Sequence, residues 1–256
     1  IAYDIDALDG VQSVYNGDHF NWRLSADYRF SDQVLGYVTV GTGFKGGGVT
    51  ARPFLPQHAT QGTFGPETVT AYELGLKTDL LDRRVRLNVA AFYNDYQNIQ
   101  LALSDCTAYG GGPCAVVANA GDGEIWGVEG ELFAEPVDGL TIDASISVLD
   151  SRFTDLDAAV GTSRAVGDPI VQPDFTASFG VQYQADLGAA GSITPRFDLS
   201  HRGNRFVGYT LDSLGTDYRT MPSYTLGNAR LTWRNADEDL SLALEVTNLF
   251  DTYYNP

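Results

Sequence analysis

The sequence predicts an all-β chain, an antiparallel up-and-down barrel that crosses a membrane. Three observations carry this. Apolar and polar residues alternate with period two through about ten segments. Short and long connections between those segments alternate in strict succession. The polar face carries Arg, Glu, Lys and Asp repeatedly, and a small dry core could not hold so many charges without heavy cost.

The strands follow in order. Trp22, Leu24, Ala26, Tyr28 and Phe30 alternate with Arg23, Ser25, Asp27 and Arg29, and an apolar run spans Val34 to Val40. Tyr72, Leu74 and Leu76 oppose Glu73, Gly75 and Lys77; Val85, Leu87, Val89, Ala91 and Tyr93 oppose Arg84, Arg86, Asn88 and Ala90. Trp126, Val128 and Leu132 alternate with Gly127, Glu129 and Glu131. Leu140, Ile142, Ala144, Ile146 and Val148 alternate with Thr141, Asp143, Ser145 and Ser147. Phe175 to Val181, Phe197 and Leu199, and finally Leu240 to Val246 repeat the pattern. Successive strand side chains point to opposite faces, so each segment has one apolar and one polar face. No segment carries a convincing helical period.

Short connections fall at Ser31-Asp32, Leu81 to Arg83, Val137 to Gly139, Gly188 to Gly191 and Asn235 to Glu238. Long ones run Phe44 to Pro66, Ser104 to Asp122, Thr154 to Gln172 and Phe206 to Met221. A meander puts every second connection at the same end, which is the loop asymmetry of a bacterial outer-membrane barrel. A Greek-key sandwich has no reason to sort its loops this way. The charges fit a wide, wet lumen with the apolar face toward lipid. Leu74, Leu87, Val89, Ile142, Ile146, Leu242 and Leu244 are therefore expected on the convex, lipid-facing side, and Glu73, Arg86, Asp143 and Glu245 on the concave side. Trp22, Phe30, Phe44, Phe92, Trp126, Trp233 and Phe250 look like interfacial girdles; ordinary sandwich core is the competing explanation for those rings.

Composition narrows the classes. Acidic residues outnumber basic ones, 33 to 16, for a net charge of −17. A nucleic-acid binder shows the opposite sign or a basic stripe, so no nucleic-acid partner is expected. Tyrosine (14) and phenylalanine (13) are plentiful and methionine (1) nearly absent, which suits strands. No apolar run approaches the length of a membrane-spanning helix, and barrel strands do not need one. The chain begins at Ile1 without a signal peptide, as expected of a piece of a longer protein. Gly41, Gly43 and Gly46 form a literal G-x-G-x-x-G, but that fingerprint carries phosphate chemistry only when a helix follows. Here Pro53 and Pro56 follow without any apolar helical period.

Three segments carry a resemblance: PETVTAYELGLKTDLLDRRVRLNVAAFYNDYQNIQL (Pro66 to Leu101), NAGDGEIWGVEGEL (Asn119 to Leu132) and VTNLFDTYYNP (Val246 to Pro256). Together they resemble the C-terminal barrel of TonB-dependent outer-membrane receptors, and Gly41 to Gly48 resembles the family's glycine-rich stretch where a strand rises into an extracellular loop. The resemblance covers nearly the whole chain, so residues 1–256 read as the C-terminal part of one barrel domain, about ten strands of a 22-stranded barrel. It implies that an N-terminal plug with its energy-coupling box, the earlier strands and the closing strand lie outside this chain. It also places the glycines at a barrel rim, where a bulge and a flexible loop start are expected. The implied location is the outer membrane, and the implied partners are its lipid, the chain's own plug, the TonB complex and a nutrient ligand.

On that reading, Cys106 and Cys114 sit in one long loop around Gly110 to Pro113, and a loop-stapling disulfide is expected rather than a metal site. His19, His58 and His201 are scattered, each expected as a solvated loop or lumen residue, and no G-x-S-x-G elbow exists. No catalytic group, cofactor or metal is expected. Long loops carry function on rigid scaffolds, so Lys45, Arg52, His58, Tyr109, Tyr209 and Tyr218 are the candidate ligand contacts, basic and aromatic groups that suit an anionic iron chelate. The family implies energised uptake of a scarce, bulky nutrient, most often a ferric siderophore. A cobalamin or saccharide receptor of the same family, a passive porin and a soluble glycan-binding β-sandwich are the competing readings.

Overall fold

The computed structural model describes residues 14–49, 63–105, 113–157, 164–170, 173–206 and 220–254, with backbone alone at 104–105 and 113–115. Its strands are β1 (Arg23–Ser31), β2 (Val34–Lys45), β3 (Gly48–Val49), β4 (Thr63–Phe64), β5 (Glu67–Leu80) and β6 (Val85–Gln97). Then come β7 (Gln100–Asp105), β8 (Pro113–Asn119), β9 (Gly121–Ala134), β10 (Leu140–Leu156), β11 (Phe175–Tyr183) and β12 (Ala185–Asp186). The last are β13 (Ser192–Arg202), β14 (Arg205–Phe206), β15 (Thr220–Met221), β16 (Tyr224–Arg234) and β17 (Ser241–Val246). A single 3-10 turn at Gly188–Ala190 is the one helical element among the described residues.

Ten of these strands form one sheet in the order β1-β2-β5-β6-β9-β10-β11-β13-β16-β17, with β12 as a side member on β13. Every pairing is antiparallel between successive long strands, so the sheet is the expected meander. The pairs β3–β4, β7–β8 and β14–β15 are separate hairpins, each inside a long connection. The sequence pattern did not separate these hairpins from loop.

Register separates two faces. Val38, Leu74, Ala91, Val128, Val148 and Phe175 stand opposite one another in turn across six strands. A row on the other face reads Arg86, Phe133, Asp143, Gly180, Asp198 and Asn228. By strand alternation all seven residues expected toward lipid share the first face, and Glu73, Arg86, Asp143 and Glu245 share the second. No second sheet covers the apolar face among the described residues: Leu74 is 60% exposed and Leu244 69%. A soluble domain of this length would bury most such side chains.

The apolar band has a visible upper edge. Tyr72, Tyr93 and Trp126 form one row, with the two tyrosine rings 6.2 Å apart. One step toward the long-loop end, the same face becomes Thr70, Asp95, Glu124 and Arg152. There Glu124 accepts from Tyr93 Oη at 2.9 Å and from Arg152 Nε at 2.7 Å.

Three expectations need correction. Phe92 stands opposite Glu73 and Gly127, on the polar face, so it belongs to no lipid girdle. Its ring covers Gly127, where a Cβ would come within 2.9 Å of it. His201 is no lumen or loop residue: it pairs with Ala177 and Thr225 in an apolar-face row, bonded through Nδ1 to Thr225 Oγ1 at 2.8 Å. Finally, β2 pairs with β5 without interruption from Val34 to Lys45, so Gly41 and Gly43 make no bulge. The chain then continues into β3 rather than a helix, which removes the phosphate-binding reading.

Candidate ligand-facing rim

The long-loop end is where the described residues build something beyond the sheet. Of the eight buried apolar side chains among the described residues, all except Ala134 gather there: Ile99, Leu103, Val116, Ala118, Ala120, Ile125 and Phe153. Within the β7–β8 hairpin, Leu103, Val116 and Ala118 pack together with Leu101 against them.

Gln100 joins this hairpin to the preceding loop. It is 8% exposed, and its Nε2 donates to the carbonyls of Gly46 at 2.9 Å and Gly65 at 3.0 Å, with a longer bond to Lys45 at 3.4 Å. Its backbone N–H donates to Glu67 Oε2 at 2.8 Å. Asn119 grips the same loop: Oδ1 accepts from Gly65 N at 2.6 Å, while Nδ2 donates to Gly65 O at 3.0 Å and Asn98 O at 2.8 Å. Two primary amides thus supply donors to the loop carbonyls, Gln100 to Gly46 and Asn119 to Gly65 each across 54 residues of sequence. The glycine at 47 follows from this closeness, because a Cβ there would overlap the Phe64 carbonyl.

β10 runs beyond its partner β11 and carries the next loop. Phe153 N donates to Asp168 O at 3.0 Å and its carbonyl accepts from Gly167 N at 2.9 Å. Ile170 N donates to Ser151 Oγ at 3.1 Å. Gly123 leaves room for the Ile170 and Ile99 side chains. Ile125, Ser151 and Phe153 belong to the polar-face rows, so both loops lean over the face that a barrel turns inward.

The opposite corner of the rim is the junction of β13, β14, β15 and β16. Arg202, Arg205, Tyr224 and Tyr254 line a pocket of 110 Å³ there.

Of the residues proposed from sequence, Lys45 ends β2, pairs with Glu67 and exposes its side chain; its carbonyl, not its ammonium, joins the Gln100 network. Arg52, His58, Tyr109, Tyr209, Tyr218 and Cys106 lie outside the described residues, and Cys114 is described by its backbone in β8 alone. The rim residues that the structure brings together, Gln100, Asn119, Arg202, Arg205, Tyr224 and Tyr254, escaped sequence reading. The first two sit in what reads as polar loop, and the arginines fall where a strand pattern ends. Among the described residues, no group of three His, Cys, Asp or Glu side chains is placed to hold a metal.

Comparison with known proteins gives this architecture its context. The family model described as "TonB dependent receptor-like, beta-barrel" matches residues 2–249. The probable TonB-dependent siderophore receptor PiuA of Acinetobacter baumannii is 25% identical over 189 residues, which is 74% of this chain and 24% of that protein. Among solved structures, the ferric yersiniabactin uptake receptor FyuA from Yersinia pestis superposes with a TM-score of 0.69 at 24% identity, over 91% of this chain and 33% of FyuA. The ferric-catecholate import receptor Fiu from E. coli K12, in its closed form, gives a TM-score of 0.69 at 20% identity, over 91% and 31%. The chain thus spans about a quarter of the curated relative and a third of the solved ones. Family members are transport receptors of the outer membrane. A meander of ten long strands, one exposed apolar face and loops knitted at one end agree with a model covering nearly every residue: the chain belongs to the TonB-dependent receptor β-barrel family.

Proposed function

We propose that this chain is the C-terminal part of the barrel of an energy-coupled outer-membrane receptor that imports a ferric siderophore. The observation that carries the reading is the asymmetry of the sheet. Its apolar band fits a bilayer core, and the three added hairpins sit beyond that band at one end. Loops interlocked over the inner face suit capture of a bulky ligand. The siderophore assignment draws on relatives whose own names state that cargo.

In the complete parent protein, a plug filling the barrel would leave no open pore, so binding at the loops would not by itself deliver the ligand. Passage would then require the TonB complex and the proton-motive force. The test is accumulation of a ferric siderophore in cells expressing the parent protein, with and without TonB. Accumulation that needs TonB is the expected outcome. Equal accumulation in both strains would identify a passive porin, and TonB-dependent growth on cobalamin or a sugar alone would replace the substrate.

A further inference from the structure

Charge pairing singles out one corner of the rim. Five described arginines of this acidic chain are neutralised: Arg84 by Asp138, Arg86 by Asp79, Arg152 by Glu124, Arg196 by Asp143 and Asp198, and Arg230 by Glu245. Arg23, Arg29, Arg83 and Arg234 have no ion pair among the described residues but are exposed to water. Arg202 and Arg205 are partly buried, yet neither has an ion-pair partner among the described residues. Asp174, whose carboxylate lies beside the Gly203 backbone, pairs with neither. Arg164 adds a third cation, its guanidinium 5.4 Å from the ring centre of Phe206 in the same hairpin. Half-burying positive charge without a counter-ion is costly, and the cost is recovered when an anion arrives.

The aromatic lining says what kind of anion. Tyr224 stands directly opposite Arg202 in the β13–β16 register, and its ring lies 5.0 Å from that of Tyr254. Arg202 and Tyr224 end the polar-face row that passes through Glu129, Ser147 and Thr176, so the pocket opens on the inner side of the rim. At 110 Å³ it has the size class of a single ring; a cavity of about 150 Å³ takes up benzene. Guanidinium groups bond phenolate or carboxylate oxygens with charge assistance, and tyrosine faces stack on an aromatic plane.

We propose that this pocket receives one ring of a polyanionic aromatic iron chelate of the tris-catecholate class, with Arg202 and Arg205 meeting its oxygens and Tyr224 and Tyr254 its face. The assignment rests on the uptake reading above and sharpens it, since a neutral chelate without rings would gain nothing here.

The test uses the purified full-length parent receptor, titrated by fluorescence quenching with an iron(III) tris-catecholate and with a neutral iron(III) trihydroxamate. R202Q and R205Q should each weaken tris-catecholate binding about tenfold, the loss of roughly one charge-assisted contact. The double variant should lose more, with a shallower salt dependence, and R202K should restore part of the affinity. Heat-modifiable migration of each variant checks that the barrel has formed. Unchanged tris-catecholate affinity in the folded double variant overturns the proposal, and so does a wild-type receptor that does not bind this chelate. TonB-dependent uptake of the trihydroxamate alongside either result would leave the transport reading standing and remove only the pocket's role. Binding as expected without TonB-dependent uptake of any chelate would do the reverse.

Discussion

The two ends of this sheet solve the same problem by different chemistry. At the short-turn end the chain reverses through backbone conformation. Leu81, Asp82 and Arg83 all take left-handed φ values of 51°, 54° and 68°, and Arg84 N closes the turn onto Leu81 O at 3.0 Å. The side chains there make exposed ion pairs such as Arg84–Asp138 at 3.0 Å. At the long-loop end the chain is held by side-chain amides: the buried Gln100 and the half-buried Asn119 bond carbonyls of a loop remote in sequence. Local turns specify themselves, whereas long loops are specified by what they touch. The loop end, though irregular, thus holds most of the described buried core.

That contrast can be broken at three places in the parent protein. The largest effect belongs to neither end but to the apolar band between them. Ile142→Arg should impair membrane assembly by about 2–4 kcal/mol if the residue sits at mid-depth. Asp143→Asn, next door on the opposite face, should assemble normally, and heat-modifiable migration of the pair reads the difference. Next comes Gln100→Leu, which removes the hydrogen bond to the Gly46 carbonyl and one of the two held by the Gly65 carbonyl, and should cost the rim about 1–3 kcal/mol for the two bonds. Faster proteolysis confined to the loops, with an intact barrel band, is the expected sign; unchanged cleavage would show that the amide is dispensable. Smallest is Arg84→Ala. Its partner Asp138 is 94% exposed, so unfolding in denaturant should shift by at most about 1 kcal/mol.

Legibility followed periodicity. The long strands were readable because each alternates over enough residues to show period two, and the turn order because short and long connections trade places without exception. Phe92 misled because an aromatic near a strand end suits a girdle on either face, and the glycine opposite gives no signal until register is known. His201 was misplaced because a polar residue in an apolar row reads as the end of the pattern. Lys45 suits an anion by its charge, but its backbone is what the rim uses. Gln100 and Asn119 could not be found from sequence: each acts on carbonyls, which every residue possesses, at partners 21 to 55 positions away.

One feature of the register reaches beyond this chain. The row through Asp27, Tyr37, Gly75, Ala90, Glu129, Ser147, Thr176, Arg202 and Tyr224 crosses nine strands without a break. Yet Tyr37 is near the start of β2 at Val34, while Arg202 is the last residue of β13, which begins at Ser192. The row therefore climbs as it goes round, like a thread on a screw. A barrel closes only when the accumulated climb matches the stagger of the strands that complete it. Replacing the rest of the circumference with that of a relative would thus succeed or fail on thread pitch before any side chain is compared.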